Sequence, residues 1–84
     1  MTKPTRNRRA ITKLGQKLGA RVRSIRQRKE WSLEDLAERA GMHVTYLSSV
    51  ERGHRNPTLN VLAALAQALE ITLSTLVKGL EDEK

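Results

Sequence analysis

The sequence predicts an all-α fold, a compact domain of five short helices with a helix-turn-helix at its centre. Three observations predict it. Apolar residues recur at intervals of three and four, and no stretch alternates as a half-buried strand does. Aromatic residues, which strands favour, are only 2% of the chain. Residues 32–52 read as two short helical patterns that meet at Gly41. The first carries Leu33, Leu36, Ala37 and Ala40 on one face; the second turns Leu47 and Val50 inward and leaves Val44, Thr45, Ser48 and Ser49 to point away.

Taken in order, Met1 to Arg9 is polar, basic and interrupted by Pro4, too poor in apolar surface to order itself. Residues 1–13 are therefore expected to form a flexible basic arm, residues 14–80 the folded domain and residues 81–84 a frayed acidic end. The first helix is expected from near Leu14 or Leu18 to Lys29, with Leu14, Leu18, Val22 and Ile25 inward. Gly15 and Gly19 each cost about 1 kcal/mol inside a helix, so its first turns are expected to fray. Ser32 is a good N-cap for the second helix, with Glu34 and Asp35 in the favourable first turn, and Gly41 suits the left-handed residue after its end. The third helix spans about Val44 to Arg52 and stops at Gly53. After the loop His54-Arg55-Asn56-Pro57, Thr58 caps a fourth helix whose inner face is Leu59, Leu62, Leu65, Ala66 and Leu69. The fifth starts after Thr72 and aligns Leu73, Leu76, Val77 and Leu80.

Composition narrows the function. Eighty-four residues leave room for one domain, and with no cysteine there are no disulfides or thiolate metal sites. No apolar run approaches a membrane span and no signal-peptide core follows the basic N-terminus, so a cytoplasmic protein without membrane contact is expected. The formal net charge of +7 is unevenly spread. Through residue 31 eleven basic residues face one acid, Glu30, whereas the remainder holds five basic and eight acidic residues. A polyanion is drawn to the N-terminal half.

The ordered run Leu18-Gly19-x-x-Val22-Arg23-x-x-Arg26, then Ser32-x-x-Asp35-Leu36-Ala37-x-x-Ala40-Gly41, then Tyr46-Leu47-Ser48-x-Val50-Glu51-x-Gly53-x-Arg55-x-Pro57 and Leu59-x-x-Leu62 resembles the phage repressor and Cro-like (Xre) helix-turn-helix family. The likeness covers about residues 18–78, and Thr45-Tyr46-Leu47-Ser48 is similar to the controller proteins of restriction-modification systems. It implies a repressor-like five-helix domain, usually a symmetric dimer on double-stranded DNA with two half-sites. By position, Val44, Thr45 and Ser49 match places that face base edges. His43, Tyr46, Arg52, Arg55 and Asn56 match places near the sugar-phosphate backbone. Arg26 and Glu51 match a buried ion pair tying the first helix to the third. Leu73, Leu76, Val77 and Leu80 form the expected homodimer surface. The chain departs from the family at Leu33, where a phosphate-contacting Gln is usual, and at His43, where Ser or Thr usually caps the recognition helix.

Such a protein takes affinity from counterion release at phosphates and specificity from what reaches the groove floor. Thr45 and Ser49 can donate or accept there, and Val44 can pack on a thymine methyl. Amides at the starts of the second and third helices can donate to phosphates. Plainer readings stand beside these: Val44 as the edge of the core, Ser48 bonded back into its helix, Tyr46 as a half-buried wedge, and His43 and His54 as solvated loop residues. Glu34, Asp35 and Glu38 offer an acidic patch for RNA polymerase or simply match the helix dipole. The expected function is a sequence-specific transcriptional regulator. The competing reading is an antitoxin-type interaction module that also binds DNA. No cofactor, metal or small-molecule ligand is expected, and no catalytic constellation is present.

Overall fold

A computed structural model describes the backbone of residues 8–81 and the side chains of residues 13–81. Among the described residues there are five helices and no strand: α1 (Arg8–Arg28), α2 (Leu33–Ala40), α3 (Val44–Glu51), α4 (Leu59–Ala68) and α5 (Leu73–Val77). Helix α1 packs on α3 and α5, α2 on α3 and α4, and α4 on α5. One core results: Leu18 and Val22 from α1, Leu36 and Ala37 from α2, Leu47 and Val50 from α3, Leu65, Ala66 and Leu69 from α4 and its end, then Leu76 and Leu80.

Local chemistry fixes the starts of these helices. Ser32 Oγ accepts from the Asp35 amide at 3.0 Å, and the Asp35 carboxylate accepts from the Ser32 amide at 2.9 Å, a reciprocal capping box. Thr58 and Thr72 cap α4 and α5 with the first of these two bonds only, their hydroxyls accepting from the amides of Val61 and Thr75. His43 holds the equivalent place before α3 and makes no side-chain cap bond.

The first four helices share one way of ending. An amide reaches back over the last turn, Trp31 to the Arg26 carbonyl, Met42 to Ala37, His54 to Ser49 and Ile71 to Ala66, while the preceding residue takes a left-handed conformation. At Gly41 and Gly53 the residue suits that geometry. At Glu30 (φ 60°) and Glu70 (φ 65°) it does not, and packing of the following Trp31 and Ile71 against the core holds the turn. Nothing in the sequence marked these two turns.

Three expectations change. Helix α1 starts at Arg8, six residues before Leu14, so residues 8–13 of the expected arm are helical; residues 1–7 and 82–84 lie outside the described residues. Of the glycines that were expected to fray α1, Gly19 abuts the end of α3 and Gly15 the loop after it. A Cβ on Gly19 would stand 2.4 Å from the carbonyl oxygens of Val50 and Glu51, whereas one on Gly15 would meet the Arg55 and Gly53 carbonyls at ordinary distances of 3.5 and 3.6 Å. Finally, α5 ends at Val77, and a turn at Lys78 and Gly79 (φ 74°) brings Leu80 back into the core.

Helix α1 also lines an open, mainly apolar groove of about 330 Å³ with α4 and α5. Leu14, Leu18, Leu62, Val77 and Leu80 form it, and Asn56 and Pro57 of the α3–α4 loop close one side.

The two glycines give opposite expected outcomes. Gly19→Ala forces α1 off α3 and lowers stability by about 1–3 kcal/mol. Gly15→Ala fits and raises it by about 0.4–1 kcal/mol through helix propensity and a less free unfolded chain. Urea unfolding of both variants checks the contrast. The capping box gives a pH dependence. The backbone N–H of Ser32, then its hydroxyl, hold the Asp35 pKa below the ordinary 3.8. Its stabilisation is therefore complete above 3.8 and is lost as pH falls through the lowered value. Titration of the Asp35 carboxyl carbon by NMR should show that depression, and Ser32→Ala, which keeps the backbone N–H and removes the hydroxyl, should reduce it without abolishing it.

Candidate nucleic-acid interface

Helix α3 turns Leu47 and Val50 fully into the core. Thr45, Ser48, Ser49 and Arg52 then share the opposite side at helical spacing, Thr45 and Arg52 exposed and the two serines half-buried. Arg52 lies along this side, its Nε donating to the Ser48 carbonyl at 3.3 Å and its Nη2 to Ser49 Oγ at 3.4 Å. These are long, exposed bonds that a phosphate can replace. Val44 is half-buried and packs against the core, so only part of its side chain reaches outward. His43 is exposed at the start of α3, where no side chain caps the first amides.

The loop after α3 continues the surface. The Arg55 guanidinium lies 5.4 Å from the Tyr46 ring centroid, and Tyr46 itself packs against the core edge. The ring thus holds a cation beside α3 while leaving its charge in solvent. Asn56 is exposed. Gly53 (φ 78°) lets the chain turn under α1, where an added Cβ would come within 2.8 Å of Gln16.

What aims α3 is an ion pair behind it. Arg26 donates from Nε to Glu51 Oε2 at 2.7 Å and from Nη2 to Oε1 at 2.9 Å, and its Nη1 bonds the Trp31 carbonyl at 2.8 Å. The two side chains are only 10% and 5% exposed. Hydrogen bonds to the Glu51 carboxylate raise the Arg26 pKa against the opposing effect of burial, so the guanidinium stays charged.

Other positions differ from expectation. The start of α2 is a poor phosphate site, because Ser32 already occupies the Asp35 amide and two acids, Glu34 and Asp35, stand there. The acidic patch on α2 shrinks, because Asp35 serves the cap; Glu34 and Glu38 remain exposed. Leu76 is fully buried and Leu80 is 8% exposed within the single chain, so neither has much surface to give a second copy; Leu73 and Val77 remain half-exposed. Sequence reasoning missed three cation placements. Arg39 stacks 4.0 Å from the Trp31 ring centroid and Lys29 lies 5.1 Å from it. Lys29 also pairs with Glu70 at 3.2 Å, and Arg21 binds the end of α5. Apart from Lys29 on Trp31, which share the turn after α1, each pairing crosses between elements, which no spacing rule connects. Among the described residues no metal-binding group of acids and histidines converges, and no helix is long and apolar enough to cross a membrane.

Residues 22–76 match the family model described as helix-turn-helix. The chain belongs to the Xre-type helix-turn-helix family. It is 45% identical over 69 residues to the control protein C.SmaI of Serratia marcescens, covering 80% of this chain and 82% of that one. It is 43% identical over 65 residues to the regulator DdrOP3 of Deinococcus deserti, covering 77% of this chain, which spans only half that protein's length. Among solved structures, the restriction-modification controller protein C.AhdI of Aeromonas hydrophila aligns with a TM-score of 0.72 and 40% identity, over 74% of this chain and 94% of that one. The match leaves out residues 1–21 and 77–84, and most of the apolar groove lies in them: Leu14, Gly15 and Leu18 before the matched span, Val77 and Leu80 after it.

The ion pair sets one expected outcome. Glu51→Ala leaves the Arg26 guanidinium buried and uncompensated, costing about 3–5 kcal/mol. Thermal unfolding should show that loss with no DNA present.

Proposed function

We propose that this helix-turn-helix protein is a sequence-specific transcriptional regulator that binds double-stranded DNA as a dimer on two half-sites. The observation that carries the reading is the outward side of α3. Exposed Thr45 and Arg52, with half-buried Ser49 between them, line an outward stripe, uncapped amides begin the helix, and Arg55 on Tyr46 flanks it. A stripe of small hydroxyl side chains with cations at one end fits a major groove between two phosphate rows. Thr45 and Ser49 meet base edges, with part of Val44 beside them. His43, Tyr46, Arg52, Arg55 and Asn56 meet the backbone. The named relatives, a control protein and a transcriptional regulator, support the same reading.

The dimer surface in this proposal is narrower than the four residues of the sequence expectation. Leu73 and Val77 supply it, with the apolar groove between α1 and α5 beside Val77. Two copies joined there present two α3 helices roughly 34 Å apart, one turn of DNA. Occupancy alone suffices for repression. Glu34 and Glu38 on α2 supply the acidic surface an activator needs for RNA polymerase.

Selection of bound duplexes from random DNA should return a two-part site. Against that site, Thr45→Ala and Ser49→Ala should each relax preference at one or two positions by on the order of 1 kcal/mol. Arg55→Ala should weaken specific and scrambled duplexes alike and reduce the salt slope by about 0.9. Unchanged preference in both hydroxyl variants would remove base reading from α3.

A further inference from the structure

Helices α1 to α4 each end in the same backbone motif, with an amide folded back over the last turn. Helix α5 does not. Its five residues are too few to hold themselves helical, and the next residue, Lys78, is extended (φ −61°, ψ 126°). Carbonyls of its last turn and of Lys78 instead converge on one side chain 54 to 57 residues earlier in the chain. Arg21 Nη1 donates to the Leu76 carbonyl at 3.1 Å, to Lys78 at 2.5 Å and, more weakly, to Thr75 at 3.4 Å. A cation there also complements the negative end of the helix. Thr72 holds the other end of α5, and the fully buried Leu76 anchors its middle. Beside the buried Leu80, Arg21 thus supplies the polar tie that holds the C-terminal end of α5 to α1.

The same helix, α1, holds the recognition helix. Gly19 abuts the Val50 and Glu51 carbonyls and Arg26 grips Glu51. At about 100° per residue, Arg21 lies roughly 160° round α1 from Gly19. One rigid rod therefore carries α3 on one side and α5 on the other. In a dimer joined through the Leu73 and Val77 side of α5, the angle between α1 and α5 sets how far apart the two α3 helices stand.

We propose that Arg21 is a positioning residue for the operator: by locking α5 to α1 it fixes the half-site spacing that the dimer accepts. This rests on the dimeric reading above. Arg21 is accordingly withdrawn from the cations that contact DNA, although its charge stays.

The test uses duplexes carrying two copies of the half-site recovered by selection with the wild-type protein, separated by inserts that differ by single base pairs. A duplex with one half-site serves as reference. Binding of the wild type, Arg21→Gln and Arg21→Lys is measured by fluorescence anisotropy. Arg21→Gln should bind the single half-site within about twofold of wild type, while its preference for the best spacing over its neighbours falls about tenfold. Arg21→Lys keeps a charged donor and should recover part of that preference. Helix content by circular dichroism at the assay temperature confirms that each variant is folded; if Arg21→Gln is not, Arg21→Lys, with a shorter reach to the carbonyls, is read alone against wild type and should still broaden the spacing profile. A spacing profile identical to wild type would overturn the proposal. So would an equal loss on single and paired sites, which marks a purely structural role. If the wild type itself shows no spacing optimum, the dimeric reading fails, and the proposal falls with it.

Discussion

The contact between α1 and the C-terminal end of α3 is the constraint on which the rest of the molecule depends. It has a steric half and an electrostatic half. Gly19 lets two backbones approach where any Cβ would collide with carbonyl oxygens. One and two turns further on, Val22 fills the core and Arg26 meets Glu51 in a two-pronged pair. An apolar pair at that place would slide; the fork of Arg26 accepts one register and one orientation of the carboxylate. The pair is tolerable because its polar atoms are bonded, the third prong going to the Trp31 carbonyl. That third bond also ties the turn between α1 and α2 to the same point. The recognition helix is therefore aimed from behind, by groups that do not themselves face outward.

Freedom from that task explains the outward side of α3. Its exposed residues contribute little to the core, so small polar side chains suffice there. Ser48 and Ser49 are partly covered by Arg52, and Thr45 stands clear. The absence of a side-chain cap from His43 has the same logic. A capping residue would occupy an amide of the first turn, as Ser32 does in α2. In α3 those donors remain for a partner, at some cost in helix stability.

Much of this was legible in the sequence, and the misses have a common cause. Ser32, Gly41, Thr58 and Thr72 act on residues within a few positions of themselves, so their roles follow from local spacing. The core of α2 and α3 follows from periodicity. Gly15 and Gly19 look alike by local rules, both as weak points of a helix; only the neighbouring helix distinguishes a collision at 2.4 Å from ordinary contact at 3.5 Å. Glu30 and Glu70 end helices without the glycine that would announce it, because Trp31 and Ile71 are held by tertiary packing. The last helix shows the limit most clearly. Spacing put Leu73, Leu76, Val77 and Leu80 on one side, but spacing does not say whether that side faces the chain's own core. Leu76 and Leu80 turn out to be spent there.

Charge is where sequence and structure must be read together. The excess of cations before residue 31 suggests a large reservoir for phosphates, yet several of them are committed within the fold. Arg26 is cancelled by Glu51 and Lys29 by Glu70, so neither pair adds to the field at a distance. Arg21 is bonded to the α5 carbonyls, and Arg39 lies on the Trp31 ring within electrostatic reach of Asp35. They still draw a polyanion in, although they are poorly placed to let go and touch it. Arg23 and Arg28 on α1 and Arg52 and Arg55 around α3 are exposed and can exchange their present surroundings for phosphate. Among the described residues, the side chains free to make direct phosphate contacts, and so to add to the salt dependence of binding, are thus fewer than the cations. Long-range attraction and close contact are divided between different residues, and the division follows from which cations the packing of α1 has already used.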